Sequence, residues 1–287
     1  MSAPVELLAT CWTHSGALPL PGAHLSPYDL RTRAEAVARA GYTGIGVTID
    51  DLEASPLPLA DFAVLLDDLG LVHREVELLE DWWATGERRR TSDAVRSRLL
   101  VAAEVLGARS IKVGPDVVLD DSPLPPPADV ARWAAELHTL AGQAADVGSR
   151  IALEPLPFSN VADFRLAGEL VRAADHPAAG LTVDIWHVER GPSTLADVAA
   201  LPAGSVFVVE LNDAGTPQGH LFDDTIRRRV LPGDGVFDVA GFVRVLADGG
   251  FAGPWGVEML SDAHRSQPLD EALAAAAAGT RAVFATL

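Results

Sequence analysis

Cysteine is almost missing from this 287-residue chain: Cys11 stands alone, so no internal disulfide can form and a reducing compartment is expected. Positive charge is scarce as well. Lys and Arg number 22 against 40 Asp and Glu, a formal net charge of −18. Phosphate binding draws most of its affinity from Lys and Arg, so this balance argues against a nucleic-acid partner, and it disfavours an anionic membrane surface. Long apolar runs are lacking too. The longest, such as the alanine stretch at 272–278, fall short of a membrane span. The start, MSAPVELLATCWT, has neither the basic opening nor the apolar run of a secretion signal. A soluble cytoplasmic protein is the expectation. What is present, 48% hydrophobic and 22% charged residues, can bury a substantial core.

Short apolar runs alternate with longer amphipathic segments along the whole chain. The runs are VELLAT (5–10), GIGVTI (44–49), LVHREVELL (71–79), SIKVG (110–114), RIALEP (150–155), GLTVDIW (180–186), SVFVVEL (205–211) and PWGVEML (254–260). Their shortness and β-branched content fit buried parallel strands. Between them lie helix signals: Ser26-Pro27 opens a helix that Gly41 closes, and Gly70 and Gly107 end segments beginning near Pro58 and Ser92. The segment from Pro127 to Gly148 reads as the longest helix, and further helices cover Phe164 to Ala174, Leu195 to Ala200, Val239 to Ala247 and the chain end from about Leu269. Such alternation predicts βαβ units, and eight of them with no break in composition predict an α/β fold: one (β/α)8 TIM barrel spanning 1–287. An open doubly wound sheet is the rival, but CWTHSGALPLPG after the first run does not match GxGxxG. The proline-rich DSPLPPPAD (121–129) reads as a strand-to-helix loop, because the rhythm resumes directly after it.

Four runs end in a carboxylate: Glu154, Asp184, Glu210 and Glu258. Strand side chains alternate, so these acids share a face with Ala152, Thr182, Val208 and Gly256, while Ile151/Leu153, Leu181/Val183, Phe207/Val209 and Trp255/Val257 form the opposite, helix-facing side. The acids then point inward at the C-terminal strand ends, where barrels of this kind place their active sites. Two unit charges about 5 Å apart cost roughly 3 kcal/mol at an effective dielectric near 20. A bound cation is the simpler remedy; oxygen ligation suits Mg2+ or Mn2+, and Zn2+ is an alternative.

With these acids in view, the chain resembles the sugar phosphate isomerase/epimerase superfamily, the xylose isomerase-like barrels. The resemblance rests on Glu154, the D-x-x-H of Asp184 to His187, the LND of 211–213, the PGDGVFD of 232–238 and the GVE of 256–258, in that order and spacing. It implies that Glu154, Asp184, Glu210 and Glu258 hold a metal, that Glu154 and Glu258 also move protons between adjacent substrate carbons, and that His187 touches substrate. It also marks a departure, since the third ligand in that family is usually His and here is Glu210. Relatives with a non-His residue there include some resembling 3-dehydroshikimate dehydratases.

Removing a proton alpha to a carbonyl needs a base at the carbon and positive charge where the enolate oxygen forms. Returning the proton gives epimerisation or isomerisation; expelling a β-hydroxyl gives dehydration. The expected activity is a metal-dependent isomerase or epimerase of a sugar, keto-sugar or inositol-like polyol. A dehydratase on the same barrel and a non-catalytic sugar-binding barrel are the alternatives, and a homo-oligomer is compatible with any of them. Substrate contacts are expected from His73, which shares an inward face with Glu75 and Glu77, from Lys112, and from Trp12 among the aromatics Trp82, Trp83, Trp186 and Phe158 near strand ends. Of Arg227, Arg228 and Arg229 before Pro232, one, for which Arg227 is named, would reach over the pocket. Asp234 is expected to shape its glycine-flanked loop.

Overall fold

The computed structural model describes residues 5–287. Among them, eight parallel strands close a barrel in chain order. They are β1 (Leu7–Ala9), β2 (Gly44–Thr48), β3 (His73–Leu79), β4 (Ser110–Val113), β5 (Ile151–Leu153), β6 (Ala179–Asp184), β7 (Val206–Leu211) and β8 (Trp255–Val257), with β1 bonded to both β2 and β8. Every apolar run is a strand, and closure rules out the open sheet. Outer helices follow: α1 (Leu30–Arg39), α2 (Leu59–Asp68), α3 (Gly86–Leu106), α4 (Val130–Asp146), α5 (Phe164–Ala174), α6 (Leu195–Ala199), α7 (Val239–Asp248) and α8 (Leu269–Phe284). The proline-rich 121–129 is the loop before α4. No helix of the described residues is long and apolar enough to cross a membrane.

Helix ends follow local chemistry, with two departures from expectation. Asp29, not Ser26, caps α1 by accepting from the Thr32 backbone N–H at 2.8 Å. The Ser26 hydroxyl instead donates to the Ser15 carbonyl. The longest helix is α3 with 21 residues, not α4 with 17. It starts six residues ahead of Ser92, whose hydroxyl donates to the Glu80 carbonyl rather than capping a helix.

The main core lies between barrel and helices, where Leu7, Ile45, Val76, Ile111, Leu153, Val183 and Val257 meet Phe62, Leu99, Trp133, Phe164, Phe242 and Leu273. One residue leaves the expected alternation. The register between β6 and β7 shifts at Leu181/Thr182, so Val206 pairs with Leu181 but Val208 with Thr182. Phe207 falls at that irregularity and does not join the helix-facing core as alternation predicts. It packs with Ala152 and Val208 in a separate small cluster, and a Cβ at Gly180 would lie 2.5 Å from its ring. Gly180 has no side chain because that ring fills the space one would need.

Candidate active site

Four of the eight strands deliver the four acids to one place. Asp184 and Glu210 are paired neighbours on β6 and β7, and Glu154 and Glu258 follow the last residues of β5 and β8. One oxygen from each of the four lies within 4.8 Å of the others, all buried. The Glu154 N–H donates to the Val113 carbonyl and the Glu258 N–H to the Leu211 carbonyl, both at 3.0 Å, which extends the barrel hydrogen bonding by one residue and fixes both side chains. Asp184 Oδ1 accepts from the Trp186 N–H at the start of the short helix Ile185–Arg190 and from Asn212 Nδ2, both at 2.8 Å. Its Oδ2 is left facing Arg229 and His187.

Two cations stand among these acids. Lys112, the only lysine of the chain, leaves β4 with Nζ 2.5 Å from Glu210 Oε1, 3.1 Å from Glu77 Oε2, 3.4 Å from Glu258 Oε1 and 3.6 Å from Glu154 Oε2. Arg229 Nη1 donates to Asp184 Oδ2 at 2.6 Å and to Glu258 Oε2 at 2.9 Å, while its Nε and Nη2 donate to the carbonyl and hydroxyl of Thr225. His187 Nε2 lies 3.3 Å from Glu154 Oε1.

Two positive side chains therefore face five carboxylates, and the proton affinities show the strain. Burial pushes the Glu210 carboxyl well above the usual range, with Glu258, Glu154 and Asp184 adding to it against Lys112. Burial also raises Glu258, although Lys112 and Arg229 oppose it. Glu154 goes the other way: burial would raise it, but Lys112 and His187 outweigh burial and hold it below the carboxylate range. Burial disfavours the Lys112 ammonium, yet Glu154, Glu210, Glu258 and Glu77 together hold its proton firmly.

The donor set fits a divalent cation. It is all oxygen, it is short of positive charge, and the buried Glu210 Oε2 has no hydrogen-bond partner among the described residues. The buried floor opens into a cavity of about 190 Å3. Lys112, Glu154, His187, Arg229 and Glu258 line it, and Trp12, Leu78, Leu119, Leu156, Phe158 and Phe222 make much of its wall apolar.

The family model for xylose isomerase-like TIM barrels matches residues 34–281, most of the chain. The chain belongs to the xylose isomerase-like TIM barrel family. A 3-dehydroshikimate dehydratase of Pseudomonas aeruginosa is 30% identical over 244 residues, 83% of this chain and 37% of that protein. The chain thus spans well under half the length of that relative. An inosose isomerase of Halalkalibacterium halodurans is 27% identical over 140 residues, 48% of this chain and 49% of that protein. A crystal structure of an IolI protein with a bound zinc atom superposes with a TM-score of 0.83 at 19% identity, over 98% of this chain and 99% of that one.

Not every expected residue of this xylose isomerase-like barrel reaches the site. Trp12, Lys112 and His187 line the cavity, as does Phe158. His73 does not. It opens β3 at the far end of the strand, where Nε2 lies 3.3 Å from Glu6 Oε2. Sharing a face with Glu77 put His73 inside the right layer system but two layers from the pocket. Arg227 is also wrong: it ends the helix Leu221–Arg227 half-exposed, 3.7 Å from both Asp223 and Asp262. Arg229 enters instead, because Arg229–Val230 pairs antiparallel with Asp213–Ala214 and turns that side chain onto the floor. Trp82 and Trp83 pack with Trp133 away from the cavity, and Trp186 is buried.

The LND segment carries two roles that its residue types leave unassigned. Asn212 orients Asp184, and Asp213, not Asp234, shapes the following loop by accepting from the N–H groups of Gly233, Gly235 and Phe237. The signal was an Asp twenty residues ahead of a glycine-rich loop, which is readable only once the two are known to touch.

Proposed function

We propose that this chain is a divalent-metal-dependent enzyme that forms an enolate from a small hydroxylated carbonyl compound and eliminates water from it. The observation that carries the reading is the floor itself: Glu154 and Glu258, from β5 and β8, both line the cavity beside the cage that would hold the ion. Glu154, Asp184, Glu210 and Glu258 would be its ligands, with Mg2+ or Mn2+ favoured by an all-carboxylate set. Such an ion supplies positive charge to the carbonyl oxygen as the enolate develops.

The chain's own groups account for the proton movements. Glu154, held ionised by Lys112 and His187, takes the proton from the carbon beside the carbonyl. The electron pair of that C–H bond forms the carbon–carbon double bond as the β-hydroxyl leaves. His187 hands that hydroxyl its proton, so it departs as water; the His187 Nδ1 has no partner among the described residues and is available to orient a substrate hydroxyl. The apolar wall around Phe158, Leu156 and Phe222 excludes water and suits the carbon face of a ring more than a fully hydroxylated chain. That wall, with the longer match to the 3-dehydroshikimate dehydratase, favours dehydration.

Isomerisation or epimerisation is the second reading. It is favoured by the match to inosose isomerase and by Glu258 standing where it can return the proton from another direction.

Incubation with 3-dehydroshikimate, inosose and simple ketoses in D2O with Mn2+ separates the two. A dehydratase gives an unsaturated product lighter by one water. An isomerase gives deuterium-labelled isomers of unchanged skeleton. E154Q and E258Q should each lower either activity by roughly 100-fold to 10,000-fold. Turnover unaffected by E154Q would overturn the assignment of the base.

A further inference from the structure

We infer that Lys112 is a built-in cation that holds the carboxylate cage together and sets how tightly the cage takes a divalent ion. The inference rests on the reading that the four acids bind such an ion. The chain has one lysine, and that lysine is buried among glutamates.

The geometry divides the carboxylate oxygens. Lys112 Nζ approaches Glu210 Oε1, Glu258 Oε1 and Glu154 Oε2. The second oxygen of Glu258 is taken by Arg229 and that of Glu154 by His187. Of these six oxygens, Glu210 Oε2 alone has no hydrogen-bond partner among the described residues. Lys112 thereby orients each of the three acids through one oxygen. It also neutralises Glu210 most directly, at 2.5 Å, in a floor where five carboxylates face two cations. Strand pairing makes the reach available: Lys112 lies opposite Ala152 on β5, a residue too small to block a side chain crossing the barrel. A cation fixed there preserves the cage in the absence of an ion, and it repels an incoming dication. The ion-free protein gains stability and the site gives up affinity.

The test measures Mn2+ binding by calorimetry and ion-free thermal midpoints for the full-length wild type, K112M, K112R and K112M/E210Q. K112M should bind Mn2+ at least roughly tenfold more tightly than wild type, and its ion-free midpoint should fall by roughly 5 °C or more, with Mn2+ restoring it. K112R, which keeps the charge, should stay near wild type. K112M/E210Q, with one acid removed alongside the cation, should recover the ion-free midpoint and lose the added affinity. Equal Mn2+ affinity and equal midpoints in wild type and K112M would remove the inference while leaving the metal reading intact. An affinity gain that K112R shares would also overturn it, by pointing to packing instead of charge. If wild type and K112M both fail to bind Mn2+, the metal reading falls and this inference with it. If K112M does not fold, recovery of folded K112M/E210Q supports the charge argument, and failure of that variant too refutes it.

Discussion

Replacing Arg229 by Met tests whether the acidic floor depends on its own cations. Arg229 is almost wholly buried, and a single nitrogen serves both Asp184 and Glu258. Methionine keeps much of the stem's volume and deletes the charge. Asp184 and Glu258 oxygens lie within 4.8 Å of each other, so at an effective dielectric near 20 their repulsion is about 3.5 kcal/mol or more once unscreened. Stranding buried charge by removing one partner costs about 3–5 kcal/mol, which agrees. At roughly 2 °C per kcal/mol for a chain of this size, the melting midpoint should fall by about 6–10 °C. Differential scanning calorimetry of R229M in EDTA measures that fall. Repeating the scan with Mn2+ should recover part of it, since an ion would take over the same two carboxylates. R229K, which keeps charge but not the fork to Thr225, should lie between R229M and wild type. A midpoint for R229M within about 2 °C of wild type in EDTA would refute the reasoning.

Glu75 offers a pH test away from the ion cage. Burial raises its carboxyl to about 7, with Arg109 and Lys112 opposing. A raised carboxyl holds its proton more tightly in the folded chain than in the unfolded one. Its contribution to stability is therefore intact at low pH and is lost as pH climbs from about 4.5 to about 7, some 3 kcal/mol in total. E75Q should flatten that decline in denaturant titrations between pH 5 and 7.5, and an unchanged slope would count against a protonated Glu75. The barrel interior gives a packing test. Gly180→Ala would bring a Cβ to 2.5 Å from the Phe207 ring and the Ser205 carbonyl, so G180A should lose about 1–3 kcal/mol in chemical unfolding. A neutral result would mean that Phe207 does not fill the space above Gly180.

The eight strands, most helix limits and the four acids were legible in the sequence because they rest on local rules. A buried parallel strand must be short and apolar, a helix must be punctuated, and an acid at the end of such a strand in a closed barrel has one direction in which to point. The four carboxylates meet as their spacing predicts. What tertiary structure decided is everything that depends on which chain segments touch. The register shift that brings Phe207 inside is set by the pairing of β6 with β7, not by alternation along β7. The choice of Arg229 over Arg227 comes from a two-residue ribbon against Asp213–Ala214, which no pattern in three adjacent arginines reveals. The destination of Lys112 is likewise a matter of convergence. Its position on β4 marks it as inward-facing, but only the closed barrel brings four glutamates from different strands around one ammonium group, and a Coulomb interaction depends on distance in space rather than on separation along the chain.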